Sequence, residues 1–247
     1  GERGAPPGTR AEAPGRVLAV LEAAGRRRLV ADVPLGVFLS GGIDSSAIVA
    51  LMARALPPRQ IRTFSIGFEE PSFDESRFAR RAAAYFGTDH HEETLSARGM
   101  IDVLPEMARW IDEPLADGSL VPTFLLSRFT RKHVTVALGG DGGDELFLGY
   151  PTFQAHVLAR WAERLPRALV AAAAGATRLL PTSFDNLSLD FKARAFVRGL
   201  GLPTGKRHQV WLGSFTPAEI AALLTPDWAA GAAEVLDGLE TDPAGRS

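Results

Sequence analysis

The residues with the clearest chemical pattern form a serine- and glycine-rich segment, Ser40-Gly41-Gly42-Ile43-Asp44-Ser45-Ser46. It follows a short apolar run and opens a helical pattern, so we predict a turn between a strand and a helix. Backbone N–H groups in such a turn can close on phosphate oxygens, and the positive end of the helix attracts the same anions. The three serine hydroxyls add donors. A tight turn with a serine cap is the alternative interpretation.

The acid in this segment separates it from other phosphate-binding loops. A Walker loop places a lysine before Ser or Thr, whereas counting from Gly36 puts Gly42 at the lysine position. The dinucleotide fingerprint Gly-x-Gly-x-x-Gly is absent from the segment. Asp44 would repel a polyphosphate unless a divalent cation lay between them. The pattern therefore predicts Mg²⁺ held by protein carboxylate and by phosphate oxygens.

A second acidic motif follows the strand predicted at 134–138. It reads Leu138-Gly139-Gly140-Asp141-Gly142-Gly143-Asp144-Glu145-Leu146-Phe147. Three acids in a glycine-rich loop at the end of a strand suit a cation or polar-ligand site. The motif lacks the twelve-residue spacing of an EF-hand that ends in glutamate. A surface turn is the alternative, and the presence of the first motif favours a ligand site.

The elements that must position these motifs alternate along the chain. Apolar runs predict strands at 34–39, 61–68 and 134–138, and we predict a further strand at 88–95. Helical periodicity predicts helices between the strands. The predicted helices span 43–56, 100–111 and 123–132, and a capping box at Ser72 and Glu75 opens another that ends at Gly87. This alternation predicts an α/β fold with a mainly parallel sheet covered by helices on both faces.

The sequence pattern changes after Tyr150, because no further strand is predicted and helical segments follow. Thr216 to Glu219 form a helix start, with an N-cap, a proline and a glutamate in the expected order. We divide the chain into a flexible tail at 1–15, an α/β core at 16–150 and a helical subdomain at 151–247 that is incomplete.

Composition excludes several functional classes. The chain has 247 residues, a formal net charge of −2 and no cysteine, which excludes a disulfide scaffold, thiolate metal sites and a cysteine nucleophile. The near-neutral charge argues against a nucleic-acid binder. No apolar run reaches the length of a membrane span, and no signal-peptide pattern occurs. We therefore predict a cytoplasmic protein without membrane or nucleic-acid partners.

The two motifs resemble those of the glutamine-hydrolysing asparagine synthetase family, a branch of the N-type ATP pyrophosphatases. The first motif resembles the pyrophosphate-binding signature, and the flanking segment Asp32 to Leu39 is similar to the asparagine synthetase branch. The resemblance runs from about Arg16 to Phe215. It implies an adenine nucleotide α-hydrolase-like sheet, ATP and Mg²⁺ as cofactors, and a role in asparagine biosynthesis. In the implied reaction, aspartate attacks the α-phosphorus of ATP, pyrophosphate leaves, and ammonia displaces AMP from the acyl-adenylate.

The resemblance also assigns residues to roles. Asp44 and Asp144 would share the Mg²⁺ that bridges ATP, Asp141 would contact the reacting intermediate, and Glu145 is an additional candidate. The ATP and pyrophosphate site would comprise Leu39, Ser40, Gly41, Gly42, Asp44, Ser45, Ser46, Ile66 and Gly140. Of these, Leu39, Ile66 and Gly140 would lie towards the adenine. Family members often carry serine where this chain has Gly139. The loop from Asp112 to Ser119 resembles the one before the substrate pocket.

The family's ammonia normally comes from an N-terminal glutaminase domain with a terminal cysteine, which this chain lacks. We therefore expect a fragment without that domain and without the distal C-terminal part, with weak or no synthetase activity alone. The family's pyrophosphate-side lysine has no match here, because Lys192 corresponds to a different stretch. The expected substrate is a small carboxylate, and a homodimer stays open.

Other functions stay open. A related amidotransferase or cyclase would act on another acceptor, such as a glycan, a peptide or a lasso-peptide precursor. Lactam-forming relatives carry tyrosine where Asp141 stands, which argues against that subset. A more distant pyrophosphatase that thiolates tRNA or forms NAD is a further alternative, and so is a non-catalytic nucleotide-binding module. His90 and His91 would point to opposite faces of a strand, which argues against a metal site.

Overall fold

The computed structural model describes residues 9, 11–113, 115, 117–183, 185–186, 188–213 and 215–238. The chain divides into two compact units, residues 1–142 and 143–247. The first unit contains a sheet and its covering helices, and the second is helical over its described residues. The predicted domain boundary near residue 150 stays a prediction.

The sheet of the first unit has four strands: β1 Leu35–Phe38, β2 Arg62–Phe68, β3 Asp89–Leu95 and β4 Val136–Leu138. Their order is β3-β2-β1-β4, and all three pairings are parallel. Each strand lies within a predicted run, so the predicted parallel sheet is confirmed. Because β1 lies between β2 and β4, the loops that follow β1 and β4 start at the same edge of the sheet.

Helices cover both faces of this sheet. They are α1 Ala13–Arg28, α2 Ile43–Ala53, α3 Ser76–Phe86, α4 Ala97–Asp102, α5 Leu104–Met107 and α6 Leu120–Arg131, with a 3₁₀ turn at Pro58–Gln60. Side chains of β1, α2 and α3 form one core, which contains Val37, Leu39, Val49, Met52, Ile61, Ala79 and Ala83. Leu95, Val103 and Leu125 form a second core, against which Ile66 and Phe68 of β2 pack.

The helix predicted at 100–111 and the capping box predicted at Ser72 differ from the structure. The helix predicted at 100–111 is divided into α4 and α5, which meet at Val103. Pro105 explains the break, because it has no N–H to continue the hydrogen bonds of α4. The expected capping box at Ser72 and Glu75 is also wrong, because α3 begins at Ser76 without it.

Asp74 instead fixes the start of α3. Its carboxylate accepts hydrogen bonds from the Ser76 amide at 3.1 Å, the Ser76 hydroxyl at 3.0 Å and the Phe68 amide at 3.3 Å. Partial burial raises the pKa of Asp74, but these hydrogen bonds outweigh it and leave the pKa below its ordinary value. The end of β2 is thereby tied to α3, and Gly87 ends that helix in a left-handed conformation, as predicted.

The two adjacent histidines of β3 lie on opposite faces, as the strand alternation predicts. The His90 ring nitrogens lie 2.9 Å from Thr63 Oγ1 and 3.3 Å from Ser65 Oγ. The His91 ring stacks on Phe64 with ring centroids 5.3 Å apart. His90 therefore satisfies buried hydroxyl groups of β2, and His91 contributes to packing.

The second unit consists of α7 Gly143–Phe147, α8 Pro151–Ala162, α9 Arg167–Ala176, α10 Leu189–Gly199, α11 Thr204–Leu212, α12 Pro217–Leu223 and α13 Pro226–Gly238, with a 3₁₀ turn at Thr177–Leu179. Buried Arg207 joins its helices by donating to the Glu163 carboxylate and to the Gly199 and Leu202 carbonyl groups. His156 and His208 are linked by a 3.1 Å hydrogen bond. The predicted helix start at Thr216 is confirmed as a capping box with Glu219.

Three histidines predict how stability depends on pH. Burial lowers the pKa of His90, His156 and His208 below the ordinary value of 6.5. Below that pH the unfolded chain binds protons that the folded chain does not, so the free energy of unfolding should fall as the pH decreases through 6.5. Urea unfolding at a series of pH values measures this slope. His90→Asn should make it shallower, and an unchanged slope in that variant would contradict the assignment to His90.

Candidate functional site

The loop after β1 is fixed at both ends. The Leu39 amide donates to the Phe64 carbonyl of β2 at 2.8 Å, and Gly42 is the extended N-cap of α2. Gly41 has φ +82°, and an added Cβ would overlap the backbone of Phe78 and Ala79 in α3. Only glycine satisfies both the left-handed conformation and this close approach. The loop is therefore held between the sheet and α3.

The serines of this loop have different tasks. Ser45 is buried, and its hydroxyl oxygen accepts from the Ser40 amide at 3.3 Å and lies 3.0 Å from Ser40 Oγ. The Ser45 hydroxyl also donates to the Gly42 carbonyl at 3.4 Å. Ser45 therefore shapes the loop with its side chain. The Ser46 amide donates to the Gly42 carbonyl at 3.0 Å, which is the first hydrogen bond of α2. The amides of residues 43–45 lie before it and have no acceptor within the helix.

The loop after β4 lies directly against the start of α2. A Cβ added to Gly140 would lie 2.9 Å from the Ser45 amide nitrogen and 3.0 Å from Asp44 Cβ. The absence of a side chain at position 140 therefore lets the two loops meet. A Cβ added to Gly139 would overlap Asp141 Oδ2, so the Asp141 carboxylate is folded back over its own loop. A serine at position 139 would displace that carboxylate.

The acids of the first unit suit a hard cation. Asp44 lies in the first turn of α2 and is half-buried, and among the described residues its carboxylate has no hydrogen bond or ion pair. Asp141 is exposed. Carboxylate oxygens are ligands that Mg²⁺ prefers. Within the described ranges, no group of three or more histidines and acids is arranged to hold a metal.

The residues predicted to border the adenine have few groups available to contact a ligand. The Leu39 side chain is only 1% exposed and belongs to the core, and its amide is used by Phe64. Its carbonyl group is what remains to contact a ligand. Ile66 is half-buried and packs beside the second core.

The predicted substrate-pocket loop is only partly described, because Pro114 and Ala116 lie outside the described residues. Asp117 accepts hydrogen bonds from the Ser119 amide and hydroxyl, both at 2.8 Å. These bonds lower the pKa of Asp117. The Asp117 carboxylate is therefore engaged by its own loop.

Asp144 and Glu145 belong to the second unit, on α7. The Tyr150 hydroxyl donates to Glu145 Oε1 at 2.7 Å, and this hydrogen bond lowers the pKa of Glu145. The Gly149 amide donates to the Asp144 carbonyl at 2.9 Å. Tyr150 is absent from the residues predicted from sequence, although an aromatic hydroxyl shortly after an acidic motif is a usable signal for a partner.

Sequence comparison places these motifs in a known family. The asparagine synthase family model matches residues 16–224. A putative glutamine-hydrolysing asparagine synthetase of Mycobacterium tuberculosis is 38% identical over 215 residues, which are 86% of this chain and 32% of that protein. Glutamine-hydrolysing asparagine synthetase 1 of Bacillus subtilis is 41% identical over 138 residues, covering 56% of this chain and 22% of that protein. The chain thus spans about a third or less of these relatives' length.

Among solved structures, an NH₃-dependent NAD synthetase from Campylobacter jejuni gives a TM-score of 0.39 at 14% identity, with coverage of 93% of this chain and 94% of that one. A glutamine-dependent NAD⁺ synthetase from Acinetobacter baumannii gives a TM-score of 0.42 at 15% identity, with coverage of 94% and 45%. None of the helices in the described part of the chain is long and apolar enough to cross a membrane.

Substitutions at Gly41 and Gly142 should reduce the free energy of unfolding by different amounts. Gly41→Ala should reduce the free energy of unfolding through left-handed strain and through overlap with the α3 backbone. Gly142 is the matched control, because it has φ +84° but an added Cβ meets no described atom within 4 Å. We expect Gly41→Ala to cost about 1–3 kcal/mol more than Gly142→Ala, measured by urea unfolding. Equal costs would show that the contact with α3 is unimportant.

Proposed function

The chain belongs to the asparagine synthase family, and from this premise we propose that it carries out ATP-dependent activation of a carboxylate for amidation. Aspartate is the proposed substrate, and an acyl-adenylate is the proposed intermediate, with release of pyrophosphate and then AMP. The contact of Gly140 with the first turn of α2 carries the proposal, because it joins the two motifs that the reaction needs.

The proposed pyrophosphate site is the loop of residues 40–42 with the start of α2. The free amides of the first helical turn and the positive end of α2 attract a polyphosphate. As pyrophosphate leaves, negative charge increases on its oxygens, and these fixed donors are already oriented towards that charge. Ser45 supports the same end through the hydrogen bonds that hold Ser40 and Gly42 in place.

Asp44 requires a cation in this arrangement. A carboxylate in the first turn of α2 is favourable to the helix, but it opposes a polyphosphate bound at the same turn. Mg²⁺ would be held by Asp44 and by phosphate oxygens, and it would supply neutralisation of the charge that develops on the leaving group. Asp144 is the proposed carboxylate ligand from the second motif. The unengaged Asp44 carboxylate fits this role.

The remaining residues concern the acceptor. Asp141 is proposed to contact the reacting intermediate, and its position depends on the open space above Gly139. Leu39, Ile66 and Gly140 are proposed to border the adenine. Ammonia would come from a glutaminase domain outside this chain. The chain's contribution to rate is positioning of aspartate and ATP together with charge stabilisation.

An Asp44 variant tests the proposal. Asp44→Ala should weaken binding of ATP in the presence of Mg²⁺ by more than about tenfold, and it should abolish any ATP–pyrophosphate exchange that depends on aspartate. Asp227→Ala is the matched control, because Asp227 is the second residue of α13 as Asp44 is of α2. Calorimetry with and without Mg²⁺ measures binding, and labelled pyrophosphate measures exchange.

The outcomes separate the candidate functions. Exchange with another carboxylate in place of aspartate would favour a related amidotransferase or cyclase. Tight ATP binding without exchange for any acid, measured in an intact parent chain, would favour a nucleotide-binding module. ATP binding that Asp44→Ala leaves unchanged would overturn the assignment of the site.

A further inference from the structure

The turn after α7 has an unusual backbone for its residues. Leu148 has φ +58°, and it is the non-glycine residue with positive φ among those described. The Gly149 amide reaches back to the Asp144 carbonyl at 2.9 Å. This is the bond of a Schellman motif, in which glycine normally takes the left-handed position that Leu148 has here. A branched side chain in this conformation costs free energy.

The glycine of this turn is Gly149, one residue after the left-handed position. A Cβ added to Gly149 would overlap the carboxylate of Asp144. Glycine at 149 is therefore required by the close approach to Asp144. The order Leu148 then Gly149 keeps the turn tight against the second acidic motif, at the cost of strain at Leu148.

Tyr150 continues from this turn and reaches the other acid. Its hydroxyl donates to Glu145 Oε1 at 2.7 Å. Its ring stacks on Phe153 of α8, with centroids 6.3 Å apart and an interplanar angle of 27°. The Phe153 ring in turn lies beside the His208 ring of α11, with ring centroids 5.5 Å apart. The position of the exposed Glu145 carboxylate is thus determined by the packed helices α8 and α11.

We infer that Tyr150 is a positioning residue that acts through Glu145 in binding the cation and nucleotide. This inference rests on the proposed function. The strained turn sets Gly149 against Asp144, and Tyr150 holds Glu145, so the two adjacent acids are oriented by different means. Without the hydroxyl, Glu145 samples several rotamers next to Asp144, and binding must order it again.

Tyr150→Phe tests this role, because it removes the hydroxyl and keeps the ring that stacks on Phe153. Tyr85 is the matched control, since it is the other of the two tyrosines in the chain and is 83% exposed on α3. We expect Tyr150→Phe to weaken binding of ATP with Mg²⁺ by roughly five- to tenfold. Tyr85→Phe should leave binding unchanged, and thermal unfolding should show both variants folded.

A double-mutant cycle distinguishes positioning from a general structural effect. If Tyr150 acts through Glu145, adding Tyr150→Phe to Glu145→Ala should weaken Mg²⁺–ATP binding no further. Independent, additive losses would overturn the inference, and so would wild-type binding in Tyr150→Phe while the unsubstituted chain binds Mg²⁺–ATP. If the unsubstituted chain does not bind Mg²⁺–ATP at all, the proposed function fails, and the inference fails with it.

Discussion

The close approach of two glycine loops is the constraint on which the candidate site depends. Gly140 lies against Asp44 and Ser45 in the first turn of α2 because it has no side chain, and Gly41 lies against the α3 backbone for the same reason. The parallel pairing of β1 with β4 brings both loops to one edge. A side chain at position 140 would separate the two motifs, and one at position 41 would separate the first loop from α3.

Around that contact, the charged group and the group that shapes the loop are different residues. The start of α2 favours an anion, while Asp44 in its first turn is itself an anion. Ser45 is occupied by the loop, so its hydroxyl supports the geometry. The second motif follows the same division of tasks, because Gly149 accommodates one acid and Tyr150 binds the next. Chemical groups and the groups that position them are thus distinct residues in both motifs.

Much of the fold could be predicted from sequence because the strands are short, three of them are rich in apolar residues, and helices separate them. Both motifs also follow predicted strands, so their place at the sheet edge could be predicted. The start of α3 could not, because Ser72 and Glu75 match a capping pattern while Asp74 receives hydrogen bonds from both β2 and α3. Tyr150 offers a sequence signal, because its hydroxyl follows the acidic motif closely, but its pairing with Glu145 could not be specified since it depends on a turn that leucine rarely adopts.

The pairing of β1 with β4 also has a consequence for how the molecule assembles. Leu35 pairs with Val136, so roughly a hundred residues must be synthesised between the two partners before their ladder can form. The segment of residues 40–46 leaves the ribosome early but meets Gly140 only after β4 has emerged. During that interval the loop of residues 40–46 has β2 and α3 as neighbours but has no contact with Gly140. Under the proposed function, nucleotide binding would require β4 and would therefore begin late in the folding of the first unit.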